Sequence, residues 1–154
     1  MVIQLRKVLL IEDNSNDVEL TMEALAEYNI ANSIDVARDG AEALDYLYRQ
    51  GKYADRPEGN PAVILLDLKL PKVDGLEVLG KIRSEERLKF IPVVVLTSSK
   101  EEQDLIECYE LGVNAYVVKP VAFHEFIDAV KGLGLFWAII NEPPPGSGMK
   151  KRTP

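Results

Sequence analysis

Three carboxylates stand at the ends of two apolar runs. Val8-Leu9-Leu10-Ile11 leads directly into Glu12 and Asp13, and Val63-Ile64-Leu65-Leu66 leads into Asp67. If these runs are neighbouring parallel strands, the three side chains share one mouth. Like charges that close are costly unless a counter-ion or a raised pKa relieves them, so the pattern points to a bound cation. A single histidine, His124, and a single cysteine, Cys108, exclude the usual zinc ligand sets. Oxygen donors select a hard ion such as Mg²⁺, which takes an octahedron and usually keeps waters and a substrate phosphate in its shell.

The elements that must position these groups follow from hydrophobic periodicity. Residues 6–11 read as a buried strand, and Asn14-Ser15-Asn16-Asp17 offers capping side chains for a helix running to about Tyr28, with Val18, Met22, Leu25 and Ala26 at helical spacing. A short strand over 33–37 precedes Asp39-Gly40, which opens a second helix with Ala43, Leu44 and Leu47 on one face and Gly51 after its end. Residues 52–60 form a polar loop. The strand over 62–66 delivers Asp67, Pro71 and Asp74-Gly75 punctuate the next loop, and Leu76, Leu79 and Ile82 define a third helix. A fourth strand over 91–96 ends at Thr97, a fourth helix over about 101–111 stops at Gly112, the fifth strand is 115–118, and a fifth helix runs over about 122–140. Apolar strands alternating with helices indicate a doubly wound α/β domain: a parallel sheet covered on both faces. Such sheets bind ligands beyond the carboxyl ends of their strands, where strand order reverses. Glu12, Asp13, Asp67, Thr97 and Lys119 all fall at expected strand ends.

At 154 residues and 47% hydrophobic content the chain suits one domain, placed at 1–141, followed over 142–154 by a Pro/Gly-rich basic tail read as disordered. The net charge of −7 argues against non-specific binding to nucleic acid or anionic lipid. One cysteine forms no internal disulfide, and no stretch reads as a signal peptide or a membrane span. The cytoplasm is the expected compartment.

Four ordered motifs, Leu-Leu-Ile-Glu-Asp-Asn at 9–14, Leu-Leu-Asp-Leu-Lys-Leu-Pro at 65–71, Val-Val-Leu-Thr-Ser at 94–98 and Tyr-Val-Val-Lys-Pro at 116–120, make the chain resemble the receiver domain of bacterial response regulators. The resemblance covers about residues 7–135 and implies a flavodoxin-like, CheY-like sheet of five strands in the order 2-1-3-4-5 with five helices. It implies that the protein accepts a phosphoryl group from a histidine kinase, with Asp67 as phosphoacceptor. Asp13 and Asp67 would be direct Mg²⁺ ligands, with Mn²⁺ as a substitute, Glu12 would act through a coordinated water, and the backbone carbonyl of Lys69 would be the third protein ligand. Lys119 would bring an ammonium and Thr97 a hydroxyl to the phosphoryl oxygens. Thr97 and Tyr116 would form the switch that reports phosphorylation on the face of helix four, strand five and helix five. The resemblance also implies a signalling protein rather than a metabolic enzyme, with self-catalysed phosphotransfer and autodephosphorylation. Lys69 and Ser99, each two positions beyond a site residue, sit where the family tunes the access of water to the phosphoryl group. The motif style, with Trp137, is similar to stand-alone regulators paired with bacterial phytochromes.

Charge counting agrees with this assignment. Three carboxylates and one ammonium leave two negative charges for a divalent ion to cancel. Plainer readings exist for each part. Glu12-Asp13-Asn14 suits a helix N-terminus, Lys119-Pro120 a strand terminator, Tyr116 an ordinary strand aromatic, and Asp39-Gly40 and Asp74-Gly75 turns and caps. His124 reads as a surface residue and Cys108 as a space filler. Among other functions, a phosphatase of the haloacid-dehalogenase type places a second aspartate where Lys69 stands, and a flavin phosphate would be repelled by Glu12-Asp13. A receiver-like module that binds partners without phosphorylation is the remaining alternative. The apolar run at 133–140 exceeds what one sheet face covers, so a homodimer is expected. The tail leaves no room for an output domain, so signalling is expected through contact with a separate downstream protein.

Overall fold

The computed structural model describes residues 7–26, 34–68, 70, 72–97, 110–113 and 115–118. Five strands, β1 (Val8–Ile11), β2 (Ile34–Ala37), β3 (Val63–Asp67), β4 (Val93–Thr97) and β5 (Ala115–Val118), form one parallel sheet in the order β2-β1-β3-β4-β5. Three helices lie among the described residues: α1 (Ser15–Ala26), α2 (Gly40–Tyr48) and α3 (Gly75–Ser84). The fourth and fifth helices expected from periodicity fall mostly outside the described residues. Glu110 is helical, and the turn that follows holds Gly112 at φ 80°, which agrees with a helix stopping there.

β1, residues 63–66 of β3 and residues 93–96 of β4 are apolar at every position, as strands of a sheet covered on both faces are. Leu9, Ile11, Ile64, Leu66, Val93 and Val95 pack in one core with Ala43, Tyr46 and Leu47 of α2 and Val78, Leu79 and Ile82 of α3. The alternate residues Val8, Leu10, Val63, Leu65, Val94 and Leu96 are equally inaccessible to solvent. Each such fully buried side chain contributes about 1.5–3 kcal/mol. Right-handed crossovers with strand order reversing at β1 put α1 on the face opposite α2 and α3, and α1 buries Val18 and Thr21. No helix among the described residues is long and apolar enough to cross a membrane.

Helix ends follow capping chemistry. Asn14 Oδ1 accepts from the N–H of Asp17 at 3.0 Å and starts α1. Asp39 Oδ1 accepts from the N–H of Glu42 at 2.8 Å, while Glu42 Oε1 accepts from the N–H of Arg38 at 2.9 Å. These two bonds, one to the cap residue and one from the residue before it, fix the start of α2. Gly51 follows the end of α2, as the sequence implies, without being its cap. Arg49, not Gly51, is the left-handed cap, at φ 57°, and the N–H of Gln50 reaches back to the Asp45 carbonyl at 2.9 Å.

The loop after α2 is more structured than its polar composition implies. A 3-10 turn, Gly51–Tyr53, brings the Tyr53 ring edge-on to Tyr46 at 5.1 Å between centroids. Arg56 stacks over the other tyrosine at 4.2 Å and donates to the Tyr46 carbonyl at 3.0 Å. Tyr46 is buried at 2% exposure because its hydroxyl reaches Asp35 Oδ2 at 2.6 Å, satisfying the polar end of an otherwise apolar group.

A candidate metal centre at the carboxyl edge of the sheet

Sheet register sets the site. Ile11, Leu66, Val95 and Tyr116 form one row across β1, β3, β4 and β5. One step further along the chains come Glu12, Asp67, Leu96 and Val117, and one step beyond those Asp13 and Thr97, the latter opposite Val118. Strand order reverses between β2-β1 and β3-β4-β5. The crevice of a doubly wound sheet lies at that reversal, which here is where the carboxylates stand.

Each carboxylate is held by its own local structure. The Glu12 N–H donates to the Ala37 carbonyl at 3.0 Å, which extends the β1–β2 ladder one residue past the strand. Its Oε2 accepts from the N–H of Asn14 at 3.2 Å. Asn14 caps α1, so the capping reading of the acidic cluster applies to the asparagine. Arg38 Nη1 donates to Ser15 Oγ at 3.2 Å and ties the first residue of α1 to the end of β2. Asp67 ends a strand whose five residues are all buried.

One carboxylate oxygen from each of Glu12, Asp13 and Asp67 lies within 4.8 Å of the others. Glu12 is 1% and Asp67 3% exposed, whereas Asp13 opens to solvent. Two unit charges about 4 Å apart at an effective dielectric near 20 repel by about 4 kcal/mol. A divalent cation removes that cost. Two oxygens bound to one Mg²⁺ at about 2.1 Å stand at most about 4.2 Å apart. A trio spread over up to 4.8 Å therefore suits direct binding by some members and binding through water by another. The donor set is all oxygen, as a hard cation requires.

The remaining residues read from sequence divide into two groups. Thr97 closes β4 and Tyr116 sits opposite Val95, two residues before Thr97; their backbones are described and their side chains are not. Lys69, Ser99, Lys119, Cys108, His124 and the apolar run at 133–140 lie outside the described residues. Lys119 follows Val118, the register partner of Thr97.

Two residues of the site's surroundings were not legible from local sequence. Gly75 donates its N–H to the Leu68 carbonyl at 3.1 Å, and a Cβ placed on it would lie 2.6 Å from the Asp67 carbonyl oxygen and 2.6 Å from Leu68 Cα. The start of α3 thus presses on the backbone of the candidate phosphoacceptor, closer than any side chain allows. Gly40 approaches Val73 in the same way. Asp-Gly pairs signal turns and caps, and nothing in their neighbours announces which distant backbone they must admit.

Known proteins share this fold and much of the sequence. The chain is 44% identical over 130 residues to response regulator Rcp1 of Synechocystis sp., spanning 84% of this chain and 87% of the relative. A solved structure of the Mn²⁺-bound form of Rcp1 superposes with a TM-score of 0.72 at 43% identity, covering 86% of this chain and 94% of that one. The bacteriophytochrome response regulator RtBRR is 60% identical with a TM-score of 0.81, covering 97% of this chain and 90% of that one. The phosphorylated cyanobacterial phytochrome response regulator RcpA is 44% identical with a TM-score of 0.73, covering 87% and 94%. The family model described as "response regulator receiver domain" matches residues 8–131. Together with an acidic trio at the sheet's switch point, that match establishes that the chain belongs to the response regulator receiver domain family and is a response regulator of two-component signalling.

Proposed function

We propose that Asp67 accepts a phosphoryl group from the phosphohistidine of a histidine kinase and that the protein signals by contacts that change when Asp67 is modified. The convergence of Glu12, Asp13 and Asp67 within 4.8 Å carries this reading. A carboxylate oxygen of Asp67 attacks phosphorus, the phosphorus–nitrogen bond to the kinase histidine breaks, and the imidazole leaves with the bonding pair. Mg²⁺, or Mn²⁺ in its place, neutralises charge on the phosphoryl oxygens when bound. Asp13 and Asp67 would hold the ion directly, Glu12 would hold it through water, and the Lys69 carbonyl would complete the protein ligands. The Lys119 ammonium and the Thr97 hydroxyl meet the phosphoryl oxygens. Thr97 turning toward the phosphoryl group leaves space for the Tyr116 ring, which reshapes the face of helix four, strand five and helix five.

The names of RtBRR and RcpA favour a phytochrome-type kinase, and the reading keeps the protein in the cytoplasm with that kinase. The apolar run at 133–140 favours a homodimer through the switch face. Autodephosphorylation by water belongs to the same site. Mass spectrometry after treatment with acetyl phosphate tests the reading: one phosphoryl adduct on the wild type and none on Asp67→Asn supports it. An equal adduct on Asp67→Asn sinks it.

A further inference from the structure

The segment between Asp67 and α3 is held at two places. Its neck is the contact of Gly75 with Asp67 and Leu68. Its shoulder is Lys72 and Val73, which lie against the start of α2. A Cβ on Gly40 would meet the Val73 carbonyl oxygen at 2.0 Å and its Cβ at 2.7 Å, so any side chain there displaces the segment or the helix. Lys72 Nζ pairs with Asp39 Oδ2 at 3.5 Å. Lys72 also holds φ at 66°, a left-handed conformation that lysine rarely adopts and that persists only where its surroundings impose it.

The helix start on the other side of this contact is tied down by several bonds. Asp39 caps α2 through the N–H of Glu42 at 2.8 Å. Glu42 in turn accepts from the Arg38 N–H and from the Tyr53 hydroxyl, and pairs with Lys52 at 3.1 Å. A well-bonded helix end therefore meets Lys72 in its left-handed conformation.

We propose that Asp39, Gly40 and Lys72 form a brace through which the start of α2 sets the position of the segment following Asp67, making them positioning residues for cation capture and phosphoryl acceptance. The brace rests on the reading of Asp67 as a metal-bound phosphoacceptor. In the role assigned, Asp39 and Lys72 act through the backbone between Asp67 and Gly75.

The test is calorimetric titration of the full chain with Mn²⁺, alongside thermal melts followed by circular dichroism. Asparagine tolerates the left-handed region at position 72 and still caps a helix at position 39. Lys72→Asn and Asp39→Asn therefore remove the ion pair while keeping both backbones. Removing the Lys72 cation would by charge alone tighten Mn²⁺ binding. The brace predicts the opposite, a loosening of about threefold, the size expected of one surface ion pair. Asp39→Asn loosens by a similar factor, and the double variant loosens no further than Asp39→Asn does. Gly40→Ala weakens Mn²⁺ binding by about tenfold, in the range seen when groups supporting a metal site are disturbed. If Gly40→Ala fails to fold, the two surface variants decide. Unchanged or tighter binding in folded Lys72→Asn overturns the brace. A wild-type protein that takes up no Mn²⁺ overturns the metal-site reading and the brace together, whereas wild-type uptake with unaltered variants overturns the brace alone.

Discussion

Ile11 and Leu66 stand opposite one another in adjacent parallel strands, and that single pairing decides where Glu12 and Asp67 meet. Each is the next residue in its chain. A slip of one residue would turn one carboxylate to the other face of the sheet and dissolve the trio. The buried apolar pairs behind the site, Val8 with Val63, Leu9 with Ile64 and Leu10 with Leu65, hold that register.

Glu12→Gln and Asp13→Asn are each expected to weaken Mn²⁺ binding by about tenfold or more, because each removes one charge from the only acidic trio found among the described residues. Chelation with EDTA abolishes phosphorylation of the wild type by acetyl phosphate. Calorimetry and phosphoprotein gels measure the two effects, and labelling that persists in chelator contradicts the metal role.

Thr97→Ala is expected to accept phosphate on Asp67, more slowly, while losing the phosphorylation-dependent change in partner or self-association. The residue ends β4 beside Val118, two rows from Tyr116. Sedimentation before and after acetyl phosphate, compared with wild type, reads the coupling; an identical shift in both proteins refutes the switch.

Gly75→Ala forces a methyl to within 2.6 Å of the Asp67 carbonyl oxygen. Overpacking of this kind costs about 1–3 kcal/mol, and displacement of the Asp67 backbone slows phosphorylation by about tenfold or more. Urea melts and initial rates with acetyl phosphate check both. Destabilisation at an unchanged rate would place Gly75 in the fold and not in the site.

Arg83 works at the opposite edge of the sheet. Its guanidinium donates to the Gly112 carbonyl at 2.9 and 3.1 Å, to Lys89 at 3.1 Å and to Ile91 at 2.8 Å, joining the end of α3 to the entries of β4 and β5. Arg83→Ala is expected to destabilise the protein by about 2–3 kcal/mol and to leave Mn²⁺ affinity within about twofold of wild type. A large loss of affinity at full stability would contradict this division.

Glu42 gives a pH signature. Burial alone would raise its pKa, but the Tyr53 hydroxyl, the Arg38 N–H and the Lys52 ammonium outweigh burial and hold the carboxyl below its usual range. A depressed folded pKa means stability that is present above the unfolded value, about 4.3, and lost as pH falls through the folded one. Wild type should therefore exceed Glu42→Gln by about 1 kcal/mol at neutral pH, with the gap closing in acid. Paired melts across the acid range measure it, and a constant gap denies the linkage.

Local sequence determined much of this protein. Apolar runs, caps and Asp-Gly punctuation placed all five strands to within about two residues, and put Glu12, Asp13, Asp67 and Thr97 at strand ends, because hydrophobic period and capping are properties of neighbouring residues. The resemblance of four motifs supplied the strand order that the sheet displays. Other features depended on segments distant in the chain coming together. Tyr46 enters the core because Asp35 meets its hydroxyl. Arg49 adopts the left-handed cap while the nearby glycine lies two residues further on. Gly40 and Gly75 admit Val73 and Asp67, and Lys72 bends toward Asp39. A close approach between two backbones leaves no periodic trace in either one, so only the packed tertiary structure decides it.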